Sequence, residues 1–352
     1  MATNNNENKS ILYLHKYSRM AAAYRYRFEL FFRYVEEKSL SIEKQSLLGD
    51  NYLQHMYSKG RRPWLTVALS YITRFIFLLC QPSKKLKVVY MELFPRLPYF
   101  IEKIFLKPRT YILELDDAYF LAYDSGPLKQ KVPKLMKNAS AIIAGSHYLK
   151  AYAEKWNHNV HLVPTVVDLK DYPEPKQHQE TEAVTIGWMG SPSTSKELLL
   201  LEKSFKKLDQ KFNIKFLFVG SPDLDINLNN VEYRNWQEEK VISDILDMDI
   251  GIMPLENDEW NKGKCGFKLI QYMAAGIPVV TSKVGENTYI VQNGEQGFYA
   301  DTDEQWVVSL SKLVESVALR QTMGGKAAQK IKDHYSLESV SKSYVELIEN
   351  CL

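Results

Sequence analysis

Cysteine is scarce in this chain. Only Cys80, Cys265 and Cys351 occur in 352 residues. They lie too far apart for a metal-ligand spacing or a disulfide framework, so a reducing, cytoplasmic setting is expected. Apolar runs are short. The longest, residues 64–80, carries Arg74 and falls slightly short of a bilayer span, so it reads as a buried or interfacial helix. No secretory signal opens the chain: residues 1–9 are polar, rich in Asn, and read as a disordered tail. These absences argue against a disulfide-stapled secreted domain, a zinc module and a membrane-spanning protein.

What is present is ordinary in amount and uneven in distribution. A hydrophobic content of 45% and a charged content of 25% suit a soluble protein, and 352 residues suit two α/β domains better than one core. The net charge of +3 conceals an asymmetry. Residues 1–170 hold 26 Lys and Arg against 14 Asp and Glu, and the remainder holds 19 against 28. A basic first half is expected either to meet an anionic partner, such as a membrane surface or a phosphate-linked lipid, or to be a solvated surface. Neutralising Lys84, Lys85 and Lys87 would test the membrane contact.

Short apolar runs alternate with segments of helical period. Strands are expected at residues 11–15, 41–48, 87–93, 110–115, 140–144 and 161–166, then at 183–189, 215–220, 231–234, 248–254 and 277–280. Such alternation predicts parallel sheets with helices on both faces. The stretch 168–182 is polar, holds two prolines and lacks periodicity. The expected division is a first domain at 1–170, a linker at 171–182, a second domain at 183–335, and a C-terminal helix at 336–352 free to pack back on the first domain. Residues 126–138 carry four lysines and read as a solvated helix.

Two turns in the second half look built for phosphate. Residues 263–280 read GKCGFKLIQYMAAGIPVV. A small-residue turn feeds a helix whose N-terminal N–H groups and dipole favour an anion, with Lys264 and Lys268 adding charge. Gly276 ends the helix. The second turn, after the strand at 183–189, offers Gly190, Ser191, Ser193, Thr194, Ser195 and Lys196 before a helix expected at 197–208. Its spacing is neither a P-loop nor a dinucleotide fingerprint. Trp236, at another strand end, either lies against a nucleobase or packs in the interior. In the first half, Arg19, Arg25 and Arg27 follow the first strand, where they either grip phosphate or decorate the surface. Asp116 and Asp117 end the strand at 110–115, placed to take a hydroxyl proton, to bond a sugar, or to cap a helix.

At this point the residues carry a resemblance. DIGIMPL, WNKGKCGFKLIQYMAAGIPVV and GENTYIVQNGEQGFYA resemble the donor half of the group 1, family 4 retaining glycosyltransferases with the GT-B fold. Residues 188–194 (WMGSPST), 115–118 (LDDA) and 24–27 (YRYR) resemble a bacterial branch associated with surface polysaccharides. The likeness is strong over 183–301 and weaker over 1–170. It implies two Rossmann-like domains facing across a cleft, a nucleotide-sugar held mostly by the second, and a glycan or lipid-linked acceptor on the first. It implies no cofactor and no metal, because protein cations and a helix N-terminus hold the diphosphate.

The family's diphosphate Arg and Lys fall on Ser191 and Lys196, so the arginine is missing here. Its two glutamates fall on Gly263 and Gln271, so both acids are replaced. Lys268 is expected to compensate with Lys264, and the backbones of Cys265, Gly266 and Phe267 match the loop that touches sugar and phosphate. Lys196, Lys268 and Asp117 are the expected catalytic residues. Donor binding falls to Gly190, Ser191, Ser193, Thr194, Trp236, Lys264, Cys265, Gly266, Phe267 and Gln271, and the acceptor side to Arg25, Arg27 and Asp116. Nucleic acid is not an expected partner. The replaced glutamates leave open a nucleotide-sugar-binding protein without turnover, and a sugar-nucleotide epimerase is a third reading. A metal-dependent GT-A transferase using Glu114 and Asp116 fits less well, since the phosphate-type turns lie in the second half.

Overall fold

The computed structural model describes residues 10–81 and 85–352. The expected tail at 1–9 and Lys84 lie outside the described residues. The chain forms two compact units. The first is Met1–Thr165 with Val340–Leu352, and the second is Val166–Ser339.

The first unit is built on β1 (Ser10–Tyr17), β2 (Ser41–Leu48), β3 (Leu86–Tyr90), β4 (Tyr111–Leu115), β5 (Ala141–Ala144) and β6 (Val160–Leu162). All pairs are parallel, in the order β2-β1-β3-β4-β5-β6. The central strands β3, β4 and β5 are buried along their length, which accounts for their largely apolar sequences, since helices cover both faces of such sheets. The C-terminal helix Leu337–Asn350 gives this unit Tyr344, fully buried. Its ring stacks on Phe31 at 4.2 Å, and its hydroxyl lies 3.4 Å from that of Tyr13.

The second unit repeats the plan with β7 (Val184–Met189), β8 (Ile214–Val219), β9 (Val231–Arg234), β10 (Ile250–Met253), β11 (Val279–Thr281) and β12 (Gly297–Tyr299). The order is β12-β11-β10-β7-β8-β9, again all parallel. The three-residue β12 was not anticipated from the sequence. The helix expected at 197–208 begins as a 3-10 segment, Ser195–Leu201, before turning α-helical over Glu202–Lys211.

Three expectations change on burial. Residues 171–182, read as a linker, belong to the second unit and are held there. Lys176 Nζ donates to the carbonyls of Leu246 and Met248 at 2.8 and 2.7 Å and lies 3.0 Å from Asp249, while His178 is buried. The lysine-rich segment read as a solvated helix buries Lys131, which sits 2.6 Å from Glu92 and 3.0 Å from Glu102 and donates to the Phe94 carbonyl. Two buried carboxylates make that burial tolerable. Lys87, offered as part of a surface cluster, is 4% exposed, and burial pulls its ammonium below the ordinary lysine range; Lys85 is paired with Glu43.

Candidate functional site

In the second unit, strand order reverses between β7 and β10: β7, β8 and β9 run toward one edge and β10, β11 and β12 toward the other. The carboxyl ends of β7 and β10 therefore flank the switch point, where open α/β sheets bind ligands. Both phosphate-type turns arise there, one directly after β7 and the other after β10 and the short helix Glu259–Lys262.

The turn after β7 is tied by its own hydroxyls. Thr194 Oγ1 donates to the Ser191 carbonyl at 3.1 Å and accepts from the Ser191 N–H at 3.3 Å, and the Ser191 and Ser193 hydroxyls are 2.8 Å apart. A Cβ on Gly190 would come within 2.4 Å of the Trp188 ring, and one on Gly220 within 2.1 Å of the Gly190 carbonyl and 3.2 Å of Trp236 Cβ. The ends of β7, β8 and β9 thus converge, bringing Trp236, 37% exposed, beside the Gly190 turn.

The other turn enters the helix Phe267–Ala274 through Gly266 in the left-handed region at φ 68°. Gly266 offers no side chain of its own to cap that N-terminus, and a Cβ on it would meet Ile290 at 2.2 Å. Cys265 and Gln271 are buried and Phe267 is half-buried.

Glu197 joins the two turns. Its carboxylate, 8% exposed, pairs with Lys264 through one oxygen and with Lys268 through the other at 3.2 Å. Lys268 also lies over the buried Trp188 ring, 4.6 Å from its centroid. Burial pulls the Lys268 ammonium down to about 8; Glu197 opposes that fall and Lys264 adds repulsion. Lys196 is exposed and stands outside this ion-pair cluster. The arrangement concentrates two cations and a helix N-terminus at the switch point, with one carboxylate between the cations. Neither Glu197 nor Trp188 was expected to matter at the site. The signals available were their places: a strand-end aromatic and an acid beside Lys196.

In the first unit the expected acceptor-side arginines are interior. Arg27 is 2% exposed, donates to Glu114 through Nε at 2.7 Å and to the Val163 carbonyl at 2.7 Å, and lies 3.9 Å from Asp116. Arg25 donates to the carbonyls of Arg19 and Met20, both at 2.9 Å. Both sit in a π-helical segment, Arg25–Glu29, that interrupts the helix expected from Tyr24. Arg27 and Glu114 are thus paired inside the unit, while Arg25 is held by backbone carbonyls. Asp116 accepts from the Tyr90 hydroxyl at 3.4 Å, and Asp116 and Asp117 are half-buried at the carboxyl end of β4. Among the described residues, no group of three or more His, Cys, Asp or Glu could hold a metal ion.

Comparison with known proteins decides the nature of the second unit. Residues 182–316 match the family model for glycosyl transferases group 1. This segment is similar to the group 1 glycosyl transferases. The chain is similar to the capsular polysaccharide biosynthesis glycosyltransferase CapM of Staphylococcus aureus, 24% identical over 44% of this chain and 43% of that protein. It is also similar to the putative teichuronic acid biosynthesis glycosyltransferase TuaH of Bacillus subtilis (strain 168), 25% identical over the same shares. The chain thus spans less than half the length of these curated relatives.

Among solved structures, the sucrose-phosphate synthase of Thermosynechococcus elongatus superposes with a TM-score of 0.72 at 13% identity, covering 97% of this chain and 98% of that one. Anabaena Alr3699/HepE in complex with UDP superposes at 0.69 and 12% identity, covering 97% and 100%. At such identities the likeness establishes the fold: two Rossmann-like α/β units of the GT-B class.

Proposed function

We propose that this protein is a retaining glycosyltransferase that moves a sugar from a nucleotide-sugar to a glycan or lipid-linked acceptor, using neither metal nor cofactor. The observation that carries the reading is the pairing of Lys264 and Lys268 on Glu197 at the switch point of the second unit. The relatives named for capsular polysaccharide and teichuronic acid synthesis support a surface-polysaccharide acceptor, and the UDP bound to the HepE structure makes uridine donors the first to try. Contact with an anionic membrane surface, where a lipid-linked acceptor would be presented, belongs to the same reading.

When the bond from the anomeric carbon to the diphosphate breaks, the sugar gains oxocarbenium character and the departing oxygens gain negative charge. Fixed cations and N–H dipoles aimed at those oxygens lower the barrier without reorganising. Lys264 and Lys268, with the N–H groups that begin the helix Phe267–Ala274, occupy that role. Lys196, exposed at the start of the facing 3-10 segment, adds a third cation. Ser191, Ser193 and Thr194 supply hydroxyls, Trp236 an aromatic face, and the buried Gln271 an uncharged hydrogen-bonding group where the family carries an acid. In the first unit, Asp117 orients the acceptor hydroxyl.

The test is turnover by Lys196→Ala and Lys268→Ala. Each loses a transition-state contact of about 2.7–4 kcal/mol, so transfer falls roughly 100-fold or more while the melting temperature holds. Near-wild-type turnover in both contradicts the assignment. Donor binding by the wild type without transfer or hydrolysis would replace the enzyme with a nucleotide-sugar-binding protein.

A further inference from the structure

The helix Trp64–Leu79 has two apolar faces. One faces inward, with Leu78 buried and Arg74 at 1% exposure donating to the carbonyls of His15 and Gln45 at 2.7 and 3.0 Å. The other carries Leu65, Leu69, Ile72, Ile76 and Leu79, spaced by alternate fours and threes, each 56% or more exposed; Trp64 adds to it at 70%. Beside this helix, Tyr99–Phe105 presents Phe100 and Ile104, 66% and 54% exposed. The two helices pack through Phe75 and Phe105, ring centroids 5.0 Å apart. An apolar groove between them is lined by Ile72, Ile76, Leu97 and Ile101. A surface of this extent is seldom left in water and marks an interaction site.

Charge identifies what covers it. Between residues 51 and 113 the only carboxylates are Glu92 and Glu102, both buried on Lys131. Around the apolar face, Arg61 and Arg62 lead into the first helix, Lys103 lies in the second, and Lys107 and Arg109 follow it, all exposed. A second copy of the chain would set cation against cation. An anionic lipid surface satisfies both features, taking apolar side chains into the acyl boundary and cations onto phosphates. A 16-residue helix is about 24 Å long, too short to cross the hydrocarbon core. Among the described residues, no helix is long and apolar enough to do so.

We propose that the exposed face of Trp64–Leu79 and Tyr99–Phe105 docks on an anionic lipid surface, lying in its plane. This names the surface for the membrane contact in the reading above and rests on that reading only for its purpose; the test reads vesicle binding alone, so its failure leaves sugar transfer untouched. The full chain is sedimented with mixed phosphatidylglycerol–phosphatidylcholine vesicles and with phosphatidylcholine alone. Binding is expected to the anionic vesicles, weakened by salt. It should fall about tenfold or more in Leu69→Ser/Ile72→Ser, and about fivefold for each charge removed in Arg62→Gln and Lys107→Gln. Retained thermal stability shows that the variants fold. No wild-type binding, or equal binding by all variants, overturns the proposal. A concentration-dependent dimer abolished by Leu69→Ser/Ile72→Ser would also overturn it and give the face to a second copy.

Discussion

The Glu197 carboxylate lies 3.2 Å from the Lys268 ammonium and holds Lys264 through its other oxygen. It links the turns that follow β7 and β10, and its charge opposes the effect of burial on Lys268. Without this counter-ion, the burial that lowers Lys268 would act with only Lys264's repulsion beside it.

Diphosphate affinity should therefore depend on pH. Lys268 is cationic below about 8 and neutral above it in the free protein, so affinity for a nucleoside diphosphate should be highest below that pH and decline as pH rises through it. Lys268→Arg keeps its charge throughout, and calorimetric titrations of that variant should lose the inflection near 8. The same inflection in the arginine variant would show that another group causes it.

Replacing Glu197 by Gln tests its positioning role. The neutral amide no longer supports the Lys268 charge, so the inflection should move to lower pH and affinity near neutrality should drop, by about tenfold for each unit that the Lys268 pKa falls below the assay pH. Glu197→Asp should recover part of it. A shift to higher pH, or tighter binding at every pH, would mean that Glu197 merely blocks the site.

Asp249 anchors the segment between the units' strands. Burial opposes its ionisation, but His178, the Thr185 N–H at 2.9 Å and Lys176 at 3.0 Å outweigh burial and lower it from 3.8 to about 2. A depressed carboxylate stabilises the fold above its unfolded pKa, and that contribution disappears as pH falls from about 4 to about 2. Asp249→Asn should cost roughly 2 kcal/mol at neutral pH, seen in denaturant unfolding, with the difference from wild type vanishing in acid. A pH-independent difference would assign the loss to packing.

Much of the architecture was legible because each central strand is a mostly apolar run between segments of helical period. β3, β4, β7 and β8 announce themselves in this way, and Gly276, at φ 76°, marks its helix end. The site was half legible. Gly190, Gly266, Lys264 and Lys268 stand out by residue type beside a helix start, whereas Glu197 reads as one acid in an ordinary helix until folding brings the residue after Lys196 against Lys264 and Lys268, some seventy positions on. Charge burial was the main blind spot. Arg27, Lys131 and Lys176 look like solvent-facing cations, and only tertiary pairing with Glu114, Glu102 and Asp249 turns them inward. The same limit applied to the helix Trp64–Leu79, whose composition reads as interfacial without revealing which face stays uncovered.

The most direct test of the account is calorimetric titration of the full chain with a panel of nucleoside diphosphates and their sugar conjugates, in the presence of EDTA, alongside Lys264→Ala/Lys268→Ala. The account predicts that one nucleoside's diphosphates bind the wild type with EDTA present, and that the double variant, still folded, loses about a hundredfold or more in affinity, as expected for two charge-assisted contacts. Undiminished binding by the double variant, or binding that EDTA abolishes, would contradict it.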